Sequence, residues 1–190
     1  MNWNKATQAT ILLFLLAISS FAQILNPAKW TWQPSATSVK VGDEIDLIFK
    51  ATIDKDWYIY ANEFDPDCGP MLTTVTLTPD ASFKVIGTLK AINSKAKHDE
   101  IFDCDVKIFE KTGEFRQKIK VLSANLKIVG IYQGQVCTEV EGKCIPFDGE
   151  FAFTGISVSG GKKTETIKVV LKTYSALLKT HLLITYQQNL

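Results

Sequence analysis

The chain has 190 residues, with 21 Lys or Arg against 20 Asp or Glu, a formal net charge of +1 and 46% hydrophobic residues. That length is enough to bury the core of one domain. A near-neutral balance without a basic stripe gives no support for nucleic-acid or anionic-membrane binding.

The N-terminus carries a single Lys5, an apolar run from Ile11 to Ile18, and small residues at Ser20 and Ala22. This pattern reads as a secretory signal peptide over residues 1–22, cleaved after Ala22. Its apolar core falls short of the roughly 20 residues that span a bilayer. Removal leaves 20 basic and 20 acidic residues, so the exported protein is formally neutral. Export into an oxidising compartment makes the four cysteines a redox inventory first.

From residue 37 onward the chain reads as short strands separated by turn residues: 38–41, 44–53, 57–61, 73–78, 83–92, 106–110, 114–122, 126–132 and 150–156. Gly42-Asp43, Asp54-Lys55-Asp56 and Pro79-Asp80 are breakers, and Lys111-Thr-Gly-Glu114 reads as a hairpin turn. Phe49, Trp57, Phe83, Phe109, Phe115 and Phe151 supply a core. The fold class predicted is all-β, an immunoglobulin-like antiparallel sandwich over residues 23–157.

Two stretches interrupt the pattern. Residues 62–71 contain Asp65-Pro-Asp-Cys-Gly-Pro70, whose prolines cannot serve a central strand. Residues 93–105 are polar and charged except for Ile101 and Phe102, and a lone Phe in a charged loop needs a surface to cover it.

The stretch from Tyr132 to Pro146 places Cys137 and Cys144 across a polar, Gly-containing segment. Its flanks, 126–132 and 147–153, alternate apolar and polar residues as antiparallel strands do. Facing positions on paired strands supply the Cβ separation of about 3.5–4.5 Å that a disulfide needs. Zinc fits poorly, because Cys68 and Cys104 stand alone and His98 and His181 are the only histidines. No Ser/His/Asp arrangement supports a hydrolase. The hairpin pair is either exchange-active or an inert staple. Acidic residues around it (Glu139, Glu141, Asp99, Glu100, Asp103), with Lys143 alone nearby in the hairpin, disfavour a thiolate and predict sluggish thiols.

After Ser157, Gly160-Gly-Lys-Lys reads as part of a linker. Residues 158–190 form that linker and an amphipathic or disordered tail, with Ile167, Val170, Leu171, Tyr174 and Leu178 at helical spacings interrupted by Lys168, Lys172 and Lys179.

Three segments in order resemble one family. Asp56-Trp-Tyr-Ile-Tyr60 resembles the Gly-Trp-Tyr-Leu-Tyr strand of the N-terminal domain of the thiol:disulfide interchange protein DsbD. His98-Asp-Glu-Ile-Phe102 resembles that family's cap loop, and Tyr132-Gln-Gly through Cys144-Ile-Pro146 its redox hairpin. The similarity covers nearly all of residues 30–155, with six residues between the hairpin cysteines where the best-known members have five.

The resemblance implies a periplasmic thiol-disulfide exchange module, a protein-disulfide reductase component that passes reducing equivalents through Cys137 and Cys144. Cys144 would form the mixed disulfide and Cys137 would resolve it. Phe102, with Asp99 and Glu100, would cap the sulfurs, and Tyr58 and Tyr60 would line the site. The implied partners are thioredoxin-like periplasmic proteins or domains and a membrane electron-transfer domain, with no small-molecule cofactor and no metal. The same fold could bring Cys68 and Cys104 together as a second disulfide tethering the cap; two unpaired thiols are the other reading. The competing function is a non-catalytic immunoglobulin-like binding module with structural disulfides.

Overall fold

A computed structural model of the chain describes residues 25–100 and 102–160. The signal peptide expected over residues 1–22, and the part of the expected tail beyond Gly160, lie outside the described residues.

The first sheet contains β1 (Ala28–Pro34), β3 (Glu44–Ile53), β6 (Phe83–Ala91) and β9 (Thr112–Val121), in the order β1-β3-β9-β6. The second contains β4 (Tyr58–Tyr60), β7 (Lys95–Asp99), β8 (Cys104–Glu110), β10 (Ile128–Thr138) and β11 (Lys143–Phe153), in the order β11-β10-β4-β8-β7. Short β5 (Thr74–Leu77) also pairs with β10. These pairings are antiparallel. A small parallel pair, β2 (Ser38–Lys40) with β12 (Ser157–Ser159), ties the end of the described chain to its beginning and continues pairing past residue 157.

The core lies between the sheets because strict alternation puts one face of each strand inside. In β3, Ile45, Leu47, Phe49, Ala51 and Ile53 are buried while Glu44, Lys50 and Thr52 face solvent. In β9, Phe115, Ile119 and Val121 do the same. The second sheet contributes Ile59, Phe109, Val136, Phe151 and Phe153. Edge-on ring pairs, Phe49 with Phe151 at 4.8 Å and Phe109 with Phe115 at 5.1 Å, join the layers. Each buried Phe contributes roughly 1.5–3 kcal/mol. The chain is thus the all-β, immunoglobulin-like sandwich that its periodicity predicts.

Three local expectations are corrected. Lys111-Thr-Gly-Glu114 is not a hairpin turn within one sheet. Glu110 pairs with Tyr58 in the second sheet while Thr112 pairs with Thr52 in the first, so Lys111, at φ 64°, carries the chain between layers. Residues 93–105 are not all loop, since β7 pairs with β8 from Lys95–Ile108 to Asp99–Cys104. Strand β1 lies before residue 37, where the strand reading began; as an edge strand it tolerates Pro34 at its end.

Candidate functional site

Strands β4 and β5 both pair with β10, but at different places: β4 at Val136–Cys137 and β5 at Gly130–Gln133. Between them the chain leaves the sheet as an excursion over residues 62–72. Its base is closed by Thr73, whose Oγ1 donates to the Tyr60 carbonyl at 2.5 Å and whose N–H donates to the Ala61 carbonyl at 3.3 Å. Within it, Asp65 caps a 3-10 turn (Pro66–Cys68) by accepting from the Asp67 N–H. Asn62 donates to the Leu89 carbonyl at 2.8 Å, and Glu63 pairs with Lys107 at 3.4 Å.

The excursion packs on the side of the second sheet away from the main core. Because Ile59 points into the core, its neighbours Tyr58 and Tyr60 point outward. They form a separate buried cluster with Val106, Ile108 and Cys137, covered by Phe64, Cys68 and Cys104. The aromatic pair that sequence placed at the site is therefore under the excursion, not in the sandwich.

Cys137 and Cys144 are directly opposed on β10 and β11, with Cα atoms 4.1 Å apart, and are joined by a disulfide. The ladder around them runs from Ile128–Phe153 to Thr138–Lys143, leaving only residues 139–142 as the tip. Strand pairing thus extends well into the segment that sequence read as loop. Gly134 helps: a Cβ there would lie 2.7 Å from the Phe147 ring, so only glycine lets that ring cross the ladder. Cys137 is 1% exposed, whereas Cys144 is open to solvent. Beside the tip, a cleft of about 480 Å³ is bounded by Trp57, Tyr58, Glu110, Glu139 and Val140, and Val140 is 78% exposed.

Cys68 and Cys104 form a second disulfide, with Cα atoms 5.9 Å apart, which clasps the excursion to the start of β8. Phe102 is half-buried with its ring against Gly69, next to this clasp. Gly69 has φ +113° and a Cβ there would meet Phe102 Cδ1 at 2.6 Å, so both backbone and ring require glycine. Glu100 is exposed. Asp99, 1% exposed, accepts the Tyr60 hydroxyl at 2.5 Å and the Phe102 N–H at 3.3 Å. The Tyr58 and Tyr60 hydroxyls lie 3.3 Å apart. Burial, then the Asp99 and Tyr58 hydrogen bonds, push the Tyr60 hydroxyl far above the usual tyrosine range, so it remains a donor.

Lys97 was not among the residues that sequence singled out. From β7 its ammonium pairs with Glu139 in the hairpin tip and stands over the Tyr58 ring, 4.2 Å from the centroid. Burial lowers its pKa, but the Glu139 hydrogen bond and the nearby Tyr58, Glu139 and Asp99 charges raise it by more. The period-two run Lys95-Ala-Lys97-His-Asp99 was the available signal. His98, on the other face of β7, is exposed; its hydrogen bond to Asp105 raises its pKa against the slight effect of burial.

The family model "Thiol:disulfide interchange protein DsbD, N-terminal" matches residues 22–155. Among solved structures, the N-terminal periplasmic domain of ScsB from Proteus mirabilis aligns with TM-score 0.51 at 10% identity, covering 80% of this chain and 54% of that one. The reduced DsbD N-terminal domain from Neisseria meningitidis aligns with TM-score 0.43 at 19% identity, covering 66% of this chain and 86% of that one. A complex between the DsbD N-terminal and PilB N-terminal domains from Neisseria meningitidis aligns with TM-score 0.43 at 14% identity, covering 72% and 91%. No curated protein matches the sequence.

Proposed function

The chain belongs to the family of N-terminal domains of the thiol:disulfide interchange protein DsbD, and on that premise we propose that it is a periplasmic thiol-disulfide exchange module working through Cys137 and Cys144. The observation that carries this reading is the asymmetry of the pair. One sulfur-bearing residue is open to solvent and its bonded neighbour is sealed behind it.

In the reducing direction, the Cys144 thiolate attacks one sulfur of a partner disulfide. A Cys144–partner bond forms, the partner's own S–S bond breaks, and one partner thiolate leaves. Cys137, deprotonated in turn, attacks Cys144 Sγ; the internal disulfide re-forms and the second partner thiol is released. Two electrons and two protons pass to the partner, and a reduced dithiol reverses the sequence. The partners proposed are thioredoxin-like proteins or domains, with a membrane electron-transfer domain upstream, and the dithiol is the only redox group required. Phe102, Asp99 and Glu100 belong to this proposal as the loop that a partner meets beside the pair, with Tyr58 and Tyr60 as its lining.

Trapping tests the roles. With a thioredoxin-like partner, Cys137→Ser should accumulate a mixed disulfide because the resolving sulfur is gone, and Cys144→Ser should give none. Accumulation in Cys144→Ser alone would reverse the assignment.

A further inference from the structure

Lys97 belongs to β7, separated from β10 by the two strands β4 and β8, yet it reaches the hairpin. It does so in two ways. Its ammonium pairs with Glu139, two residues beyond Cys137, and it also stands over the Tyr58 ring. Tyr58 is the residue directly opposite Cys137 on the β4–β10 ladder, and the two pack in the same buried cluster. Opposed residues of an antiparallel pair project to one face with Cβ atoms about 4.5–5.5 Å apart. The ammonium and Cys137 therefore border one tyrosine ring.

The charged and titratable groups facing this hairpin can be named element by element. β4 brings Tyr58 and Tyr60, both hydroxyls within one hydrogen-bonded chain ending on Asp99 of β7. β8 brings Glu110, which is paired with Lys95 at 2.7 Å, and the far wall of the cleft beside the tip adds Asp54, Lys55, Asp56 and Lys111. The excursion brings Glu63, paired with Lys107, together with exposed Asp65 and Asp67. The tip itself carries Glu139 and Glu141, with Lys143 at the start of β11. Against this acidic set, Lys97 is the cation that shares a ring with Cys137 and offsets the nearest tip carboxylate.

We infer that Lys97 is a positioning residue for the exchange reaction, one that sets the ionisation of the Cys137/Cys144 dithiol by neutralising Glu139 and placing a positive charge beside the pair. This rests on the exchange function proposed above. It makes a prediction that a merely structural tether does not. If the ion pair only held the hairpin in place, removing either partner would have the same effect. If its charge matters, the two removals act in opposite directions: Lys97→Met deletes the cation and exposes Glu139, whereas Glu139→Gln deletes the anion and frees the cation.

The test uses the fully reduced protein and iodoacetamide, whose iodide is displaced by the thiolate, with each cysteine followed by mass spectrometry across a pH series. The alkylation midpoint of the hairpin thiols should move up by about half a unit in Lys97→Met, about threefold slower labelling at neutral pH, and down by a similar amount in Glu139→Gln. Lys97→Arg should restore the wild-type midpoint. Shifts of the same sign, or none, would overturn the inference. Because iodoacetamide reads ionisation without a protein partner, opposite shifts combined with failed trapping would remove the exchange function alone, and successful trapping without opposite shifts would remove only the role of Lys97.

Discussion

Tyr60 and Asp99 form a fully enclosed polar contact in the site, a hydroxyl and a carboxyl group that sequence separates by 39 positions. A carboxylate this buried is tolerable only with donors in place, and losing one exposes it to a desolvation cost of about 1–3 kcal/mol. Tyr60→Phe should therefore lower unfolding free energy by about that amount, read as a fall in the urea midpoint; a change below about 0.5 kcal/mol, the level of an ordinary surface substitution, would contradict it. The raised tyrosine pKa also has a direction. Its contribution to stability is complete below the ordinary tyrosine value near 10 and declines as pH rises past it, because the unfolded chain ionises first. At this scale the cysteines were legible, since spacing and alternation placed 137 opposite 144. Lys97 was not, because its partner Glu139 lies 42 residues away and only the strand order brings them together.

The two disulfides differ as elements. Cys68–Cys104 closes a separation of 36 residues and Cys137–Cys144 one of 7. Loop-closure entropy assigns the first about 4 kcal/mol and the second about 2 kcal/mol. The hairpin bond is also flanked by a long ladder that keeps its ends opposed when it opens, whereas the excursion has few anchors besides its clasp. Cys68→Ala/Cys104→Ala should accordingly destabilise the oxidised protein more than Cys137→Ala/Cys144→Ala, by roughly 1–2 kcal/mol in denaturant unfolding. The reverse order would show that the hairpin bond is the main staple. The clasp itself was half-legible: the sequence put both cysteines in neighbouring loops but left their pairing open, and the glycine that seats Phe102 had no signature beyond its place before Pro70. The hairpin strands were read only in part, because the polar, Gly-containing stretch between residues 132 and 147 looked like a loop, although in a ladder crossed by Phe147 a glycine is what permits the pairing.

At the scale of the molecule, one sheet face builds the core and the opposite face of the second sheet builds the site, so the disulfide can change state without repacking the sandwich. Val136 and Cys137 show the division, one pointing into the main core and the other into the outer cluster. The fold class was readable from alternation alone because antiparallel strands with one buried face advertise it. The face that carries chemistry was not, since both faces of β4 are buried and its tyrosines look like core. In the proposed exchange the hairpin bond opens and closes while the clasp remains shut. Incubating the oxidised protein with a reduced thioredoxin-like protein, then alkylating and mapping by mass spectrometry, tests it directly. Cys137 and Cys144 should label rapidly with Cys68 and Cys104 still joined; a hairpin pair that stays closed under those conditions would rule out exchange and leave both bonds as staples.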